Sequence, residues 1–228
     1  MTDLLDALEV ETGQDPEACV IWLHGLGADG HDFEPVVPAL DLPEKPGIRF
    51  VFPHAPMQPV TLNGGMVMRA WYDVYGAEGV RREDETGVRA SQARVEALIA
   101  REKGRGIPAA RLALAGFSQG GAVALHTGLR HAERLAGILA LSTYLPLAGT
   151  LAAEAHAANR DVPIFMAHGT DDPLITLARA QRSRDLLRES GYRVEWHEYP
   201  MAHQVCDEEL RDLSAWLRRV LDGGPVSV

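Results

Sequence analysis

Residues 112–125 read LALAGFSQGGAVAL, and the reading of this stretch decides the fold. Arg111 to Ala115 form a short apolar run of strand length, and Gly121 to His126 begin a second apolar run suited to a helix. Between them Ser118 stands in Gly116-Phe117-Ser118-Gln119-Gly120, the pattern G-x-S-x-G. A serine there serves either as a turn residue or as a nucleophile. A strand turning straight into a helix forces its central residue into a strained conformation, and glycines two positions to either side avoid a collision. Such a turn pushes the Ser118 Oγ into a cleft and aims the Gln119 N–H, at the start of the helix, at negative charge developing there.

Outward from this stretch, short apolar runs alternate with longer amphipathic ones. The predicted strands are Ala18–Leu23, Ile48–Phe52, Arg111–Ala115, Gly137–Leu141, Val162–Ala167 and Arg193–Tyr199. The predicted helices are Glu83–Lys103, Gln119–Leu129, Thr176–Ser190 and Asp207–Leu221, with Gly104 and Gly191 where two of them would stop. Several strands are apolar on both faces, as in a parallel sheet covered on both sides. The pattern predicts an α/β fold with a mostly parallel central sheet and helices on both faces. The 228 residues suit one domain. Residues 53–79 break the rhythm. The "NGG" at 63–65, between Val60-Thr61-Leu62 and Met66-Val67-Met68, predicts a hairpin, and so long an irregular insertion is usually functional. Residues 1–17 fit no element clearly, and the tail "DGGPVSV" is expected to fray.

In such sheets ligands bind at the carboxyl ends of the strands. Past Val162–Ala167 lies His168-Gly169-Thr170-Asp171-Asp172-Pro173, with two candidate acids whose ordinary role would be a turn or a helix cap. Past Arg193–Tyr199 lies Pro200-Met201-Ala202-His203, which puts a histidine in a loop, whereas His197 falls inside the strand and is read as structural. The chain order is therefore Ser118, an acid at 171 or 172, then His203, the order of the α/β-hydrolases. The interval from 118 to 172 holds helix, strand, helix and strand; that from 172 to 203 holds one helix and one strand. In this arrangement His203 would take the serine proton and return it to the leaving group, while the acid fixes the imidazole tautomer. Past the first predicted strand comes His24-Gly25-Leu26-Gly27-Ala28-Asp29-Gly30. A glycine-rich loop there supplies a second N–H, so Leu26 and Gln119 are the expected oxyanion donors. No G-K-[ST] follows, which sets aside a phosphate loop.

The formal net charge of −10 argues against nucleic-acid partners, which need a basic patch. The two cysteines, Cys19 and Cys206, form no C-x-x-C pair and point to a reducing compartment. The first residues carry acids where a signal peptide would carry Lys or Arg, and no apolar run reaches about 18 residues. The expected location is the cytoplasm, with no embedding in a membrane. The nine histidines show no H-E-x-x-H spacing, so no metal or other cofactor is expected.

The stretches "WLHGLGADGHDF", "FPHAP", "AWYDV", "GFSQGG", "HGTDDP" and "YPMAHQV" together resemble the phospholipase/carboxylesterase family, which includes the acyl-protein thioesterases, over about residues 20–221. "RAWYDVYG" and "LSTYLP" look nearer its bacterial esterase branch. The resemblance implies the α/β-hydrolase fold. Its H-G-x-x-D pattern implies Asp172 rather than Asp171 as the acid. It implies an oxyanion N–H from Leu26, with His24 steadying that loop. It further implies a flap over Leu62–Trp71 beside an apolar acyl channel, with Leu62, Met66, Trp71, Leu174 and Ile175 in its lining and Thr143 and Tyr144 near the substrate. The expected activity is cleavage of carboxylic esters of short to medium acyl chains. A thioesterase or lysophospholipase on the same residues is the alternative, and a non-catalytic binding protein of this fold the rival class. The expected partner is a small ester, or in the alternative a lipid or acylated protein, and the expected assembly is a monomer or homodimer.

Overall fold

A computed structural model describes residues 4–75 and 82–222. The chain runs through β1 (Ala7–Glu11), β2 (Ala18–Leu23), the short helix α1 (Val36–Ala39), β3 (Ile48–Pro53), β4 (Met57–Val60), β5 (Met66–Arg69), β6 (Val74–Tyr75) and β7 (Arg82–Glu83). It continues through α2 (Glu85–Gly104), β8 (Leu112–Phe117), α3 (Gln119–Arg130), β9 (Gly137–Leu141) and α4 (Leu151–Glu154). It closes with β10 (Ile164–Gly169), α5 (Leu177–Glu189), β11 (Val194–Tyr199) and α6 (Asp207–Leu221). Seven strands make one sheet in the order β1-β3-β2-β8-β9-β10-β11, parallel throughout except that β1 runs antiparallel to β3.

Burial explains why the inner strands read as continuous apolar runs. Every residue of β2 is buried, and alternate side chains enter opposite cores. Cys19, Ile21 and Leu23 meet the layer that includes Val88, Val95 and Leu98 of α2, Leu125 of α3 and Leu187 of α5. Ala18, Val20 and Trp22 meet the layer of Leu213, Trp216, Leu217 and Leu221 from α6. Each such large side chain contributes on the order of 1.5–3 kcal/mol by leaving water. The helix limits are local chemistry. Asp84 caps α2 by accepting from the Gly87 N–H at 2.9 Å. Gly191, with φ +88°, follows the end of α5.

Several boundaries move from expectation. The strand expected at Arg111–Ala115 starts one residue later, after a 3-10 turn, and runs on to Phe117. The one expected at Val162–Ala167 starts after Pro163, which has no N–H for the ladder, and ends at Gly169. The unplaced amino-terminal segment supplies β1, an edge strand whose residues are no more than half-buried. The expected hairpin forms as β4 and β5, with Val60 opposite Met66 and Gly64 and Gly65 at positive φ. Residues 76–79 of the 53–79 insertion, and 223–228 of the tail, lie outside the described residues.

The order of the sheet also locates the cleft. From β2 the chain passes outward to β3 on one side, whereas β8 lies on the other and leads on to β9. The carboxyl ends of β2 and β8 therefore flank a point where the winding reverses, the place at which open α/β sheets bind ligands.

Candidate active site

At the end of β8, Ser118 adopts φ 54°, ψ −119°, a conformation costly for any residue with a Cβ and held here by its surroundings. Its N–H donates to the Leu141 carbonyl (2.9 Å), and its carbonyl accepts from the Ala122 N–H and from Thr143 Oγ1 (2.6 Å). The flanking glycines are required by close approach. A Cβ on Gly116 would lie 2.4 Å from the Gly120 carbonyl, and one on Gly120 would lie 2.2 Å from the Leu23 oxygen.

The loop after β10 brings Asp172 under the loop after β11. Asp172 is buried, and its Oδ2 accepts from His203 Nδ1 at 2.6 Å. Its Oδ1 accepts from the Leu174 and Ile175 N–H groups at 2.8 and 2.9 Å. His168 donates through Nε2 to the Ile175 carbonyl (2.7 Å), so the histidine that opens the H-G-x-x-D pattern holds the acid's own turn. Burial lowers the pKa of that imidazole. The His203 ring lies 4.7 Å from the Phe117 ring, next to Ser118. Asp171 is exposed and pairs with Thr170. His197 stacks on Phe165 at 4.7 Å, away from the cleft, and Cys19 is buried.

Ser118 and His203 share a cavity of about 400 Å³ with Leu26, Gln119, Leu62, Tyr72, Tyr144, Leu174 and Ile175. Two expected lining residues are elsewhere. Met66 is 64% exposed beside the hairpin tip, where both faces are open to solvent and its neighbour Val67 is exposed as well. Trp71 is wholly buried behind the loop that carries Leu26, held by hydrogen bonds at both its backbone and its indole. Thr143 likewise props the Ser118 carbonyl and does not face the cavity. Tyr72 joins the lining without having been expected there, and its hydroxyl pairs with that of Tyr144 at 2.8 Å.

On the other wall, the loop after β2 presents Leu26. Among the described residues the Leu26 N–H has no protein acceptor. The Gln119 N–H opens α3 and has none within its helix. His24 holds this loop from beneath: Nδ1–H donates to the Gly25 carbonyl (2.7 Å) and Nε2 accepts from the Ala55 N–H (3.0 Å). Burial lowers its pKa to about 4, so it stays neutral and keeps that tautomer. Among the described residues no group of three or more His, Cys, Asp or Glu is arranged to hold a metal ion, and no helix is long and apolar enough to cross a membrane.

A mostly parallel sheet layered by helices, with a serine on a strained strand-to-helix turn at the reversal of strand order, defines the α/β-hydrolase fold. Residues 5–221 match the model of the phospholipase/carboxylesterase family, and the chain belongs to that family of hydrolases. It is 43% identical to acyl-protein thioesterase 1 of Neurospora crassa over 88% of this chain and 85% of the relative. It is 39% identical to that of Mycosarcoma maydis over 92% and 94%. The crystal structure of Zea mays acyl-protein thioesterase 2 superposes with a TM-score of 0.84 at 30% identity, covering 95% of this chain and 99% of that one. These relatives are eukaryotic thioesterases, so the expected nearness to the bacterial esterase branch is not supported.

Proposed function

We propose that the protein is a serine hydrolase that cleaves acyl thioesters, S-acylated protein chains among them, and that oxygen esters of the same acyl groups are secondary substrates. The hydrogen bond from His203 Nδ1 to the buried Asp172 carboxylate carries the reading, because it leaves Nε2 as the free base on the wall that Ser118 shares. Identity of 39–43% to fungal acyl-protein thioesterases favours thioesters over the oxygen esters expected at first.

In the proposed reaction Ser118 Oγ attacks the acyl carbonyl carbon as His203 Nε2 takes its proton. The carbonyl oxygen becomes an oxyanion against the Leu26 and Gln119 N–H groups, each worth about 2.7–4 kcal/mol at the transition state. Collapse breaks the C–S bond, and the imidazolium returns the proton to the departing sulfur. A water, deprotonated by His203, then attacks the acyl-enzyme and releases the carboxylic acid and free Ser118. Asp172 keeps Nδ1 protonated and supports the cation. The apolar acyl chain lies along Leu62, Tyr72, Tyr144, Leu174 and Ile175.

Matched thioesters and oxygen esters, from acetyl to palmitoyl, together with an S-palmitoylated peptide, test this. The expected result is a higher kcat/KM for the thioester of each pair and loss of all turnover in Ser118→Ala. A Ser118→Ala variant that still turns over would sink the serine mechanism. Equal or better use of oxygen esters would return the assignment to a carboxylesterase. Failure of the wild-type protein to react with a fluorophosphonate would favour the binding-protein class.

A further inference from the structure

Trp71 reaches both sides of the cleft. Its backbone N–H donates to Gln119 Oε1 at 2.8 Å, while Gln119 Nε2 donates to the adjacent Tyr72 carbonyl at 2.7 Å. Its indole Nε1–H donates to the His24 carbonyl at 2.9 Å. Two residues before it, the Arg69 carbonyl accepts from the Gly27 N–H at 2.9 Å. The loop that carries Leu26 is thus pinned on both sides of Leu26, at His24 and at Gly27, by one short segment. The same segment grips the side chain of Gln119, which lines the same cavity as Leu26. Ser91 Oγ donates to the Trp71 carbonyl, and the Trp71 ring has no exposed surface.

We propose that Trp71 is a positioning residue that sets the separation of the Leu26 and Gln119 N–H groups. The inference rests on the hydrolytic reading above, in which those groups bind the oxyanion. The two loops come from strands far apart in sequence, and their N–H groups must match the width of one tetrahedral centre. Errors of about 1 Å in such alignments cost on the order of 10²-fold in rate. A bridge that makes one hydrogen bond to each loop fixes this width, whereas packing alone leaves the loop free to slide.

The test compares wild type with Trp71→Phe, which keeps a ring but removes the Nε1–H donor. It adds Gln119→Ala, which keeps the backbone donor but frees it from Trp71. Expected in both variants is a fall in kcat of roughly 10²-fold with KM within about twofold. The inhibition constant of butylboronic acid, which forms a tetrahedral adduct on the serine, should rise by the same factor. The pH midpoint of kcat/KM should not move. Wild-type kcat and boronate affinity in either folded variant, with only a lower Tm, would overturn the proposal and leave Trp71 a packing residue. If Trp71→Phe does not fold, Gln119→Ala decides the matter by the same readouts. Ser118→Ala separates the two levels: turnover surviving in it defeats the hydrolytic reading itself, whereas a dead Ser118→Ala beside a fully active Trp71→Phe defeats only the bridge.

Discussion

His203 Nδ1 donates to Asp172 Oδ2 across 2.6 Å, and the Asp172 side chain has no exposed surface. The neighbouring acid, Asp171, points to solvent. Asp172→Asn should therefore lower kcat by about 10⁴-fold through the wrong imidazole tautomer. Asp171→Asn should stay within a few-fold of wild type. Steady-state kinetics on the two purified variants checks this, and equal losses would refute the assignment of the acid.

The two histidines near the end of the chain offer a second contrast. His203 faces the cavity, while His197 stacks between Phe165 and Tyr199 and lies within 3.6 Å of Asp212. His203→Ala should cost at least about 10³-fold in kcat/KM. His197→Ala should cost mainly stability, about 1–2 kcal/mol. Parallel activity assays and denaturant melts measure both; a larger loss of activity in His197→Ala reverses their roles.

Gly120→Ala tests the tight turn by itself. The added Cβ would sit 2.2 Å from a backbone oxygen of β2, which cannot move without breaking the sheet. The expected cost is about 3 kcal/mol or more, observed as a low Tm or as insoluble protein. A variant as stable as wild type would show that the elbow is looser than described.

Glu209, in the first turn of α6, is wholly buried. Burial raises its pKa to about 8; the Cys206 N–H opposes this and Asp212 adds to it. The folded protein thus holds a proton that the unfolded chain, at about 4.5, has already released. Its stabilising contribution is complete below pH 4.5 and is lost as the pH rises toward 8 and past it. Glu209→Gln, which cannot ionise, should be the more stable protein at pH 8, by up to about 4 kcal/mol, and no better at pH 4. Urea melts at the two pH values test this, and a gain that does not depend on pH would rule out ionisation as its cause.

Local chemistry made much of the molecule legible without coordinates. Gly116, Ser118 and Gly120 announce the elbow because backbone sterics over five residues suffice to require it. The doubly apolar runs at 18–23 and 137–141 announce buried parallel strands because burial on both faces leaves no room for polar residues. In residues 7–11 Leu8 and Val10 alternate with Glu9 and Glu11, the pattern of a half-buried edge strand, but the run is too short to stand out in the sequence.

What tertiary structure alone decided is which side chains meet. Asp171 and Asp172 are equivalent by spacing from Ser118 and His203, and only the family pattern favoured Asp172; the buried turn closed by the Leu174 and Ile175 N–H groups is what brings its carboxylate to His203. Trp71 and Met66 are both large apolar residues of one insertion, yet one is sealed between two loops and the other lies in solvent. Composition and periodicity record how each residue relates to its neighbours in the chain. Contacts among residues 24, 71 and 119 depend on how three separate segments pack, and that information is spread over the whole core.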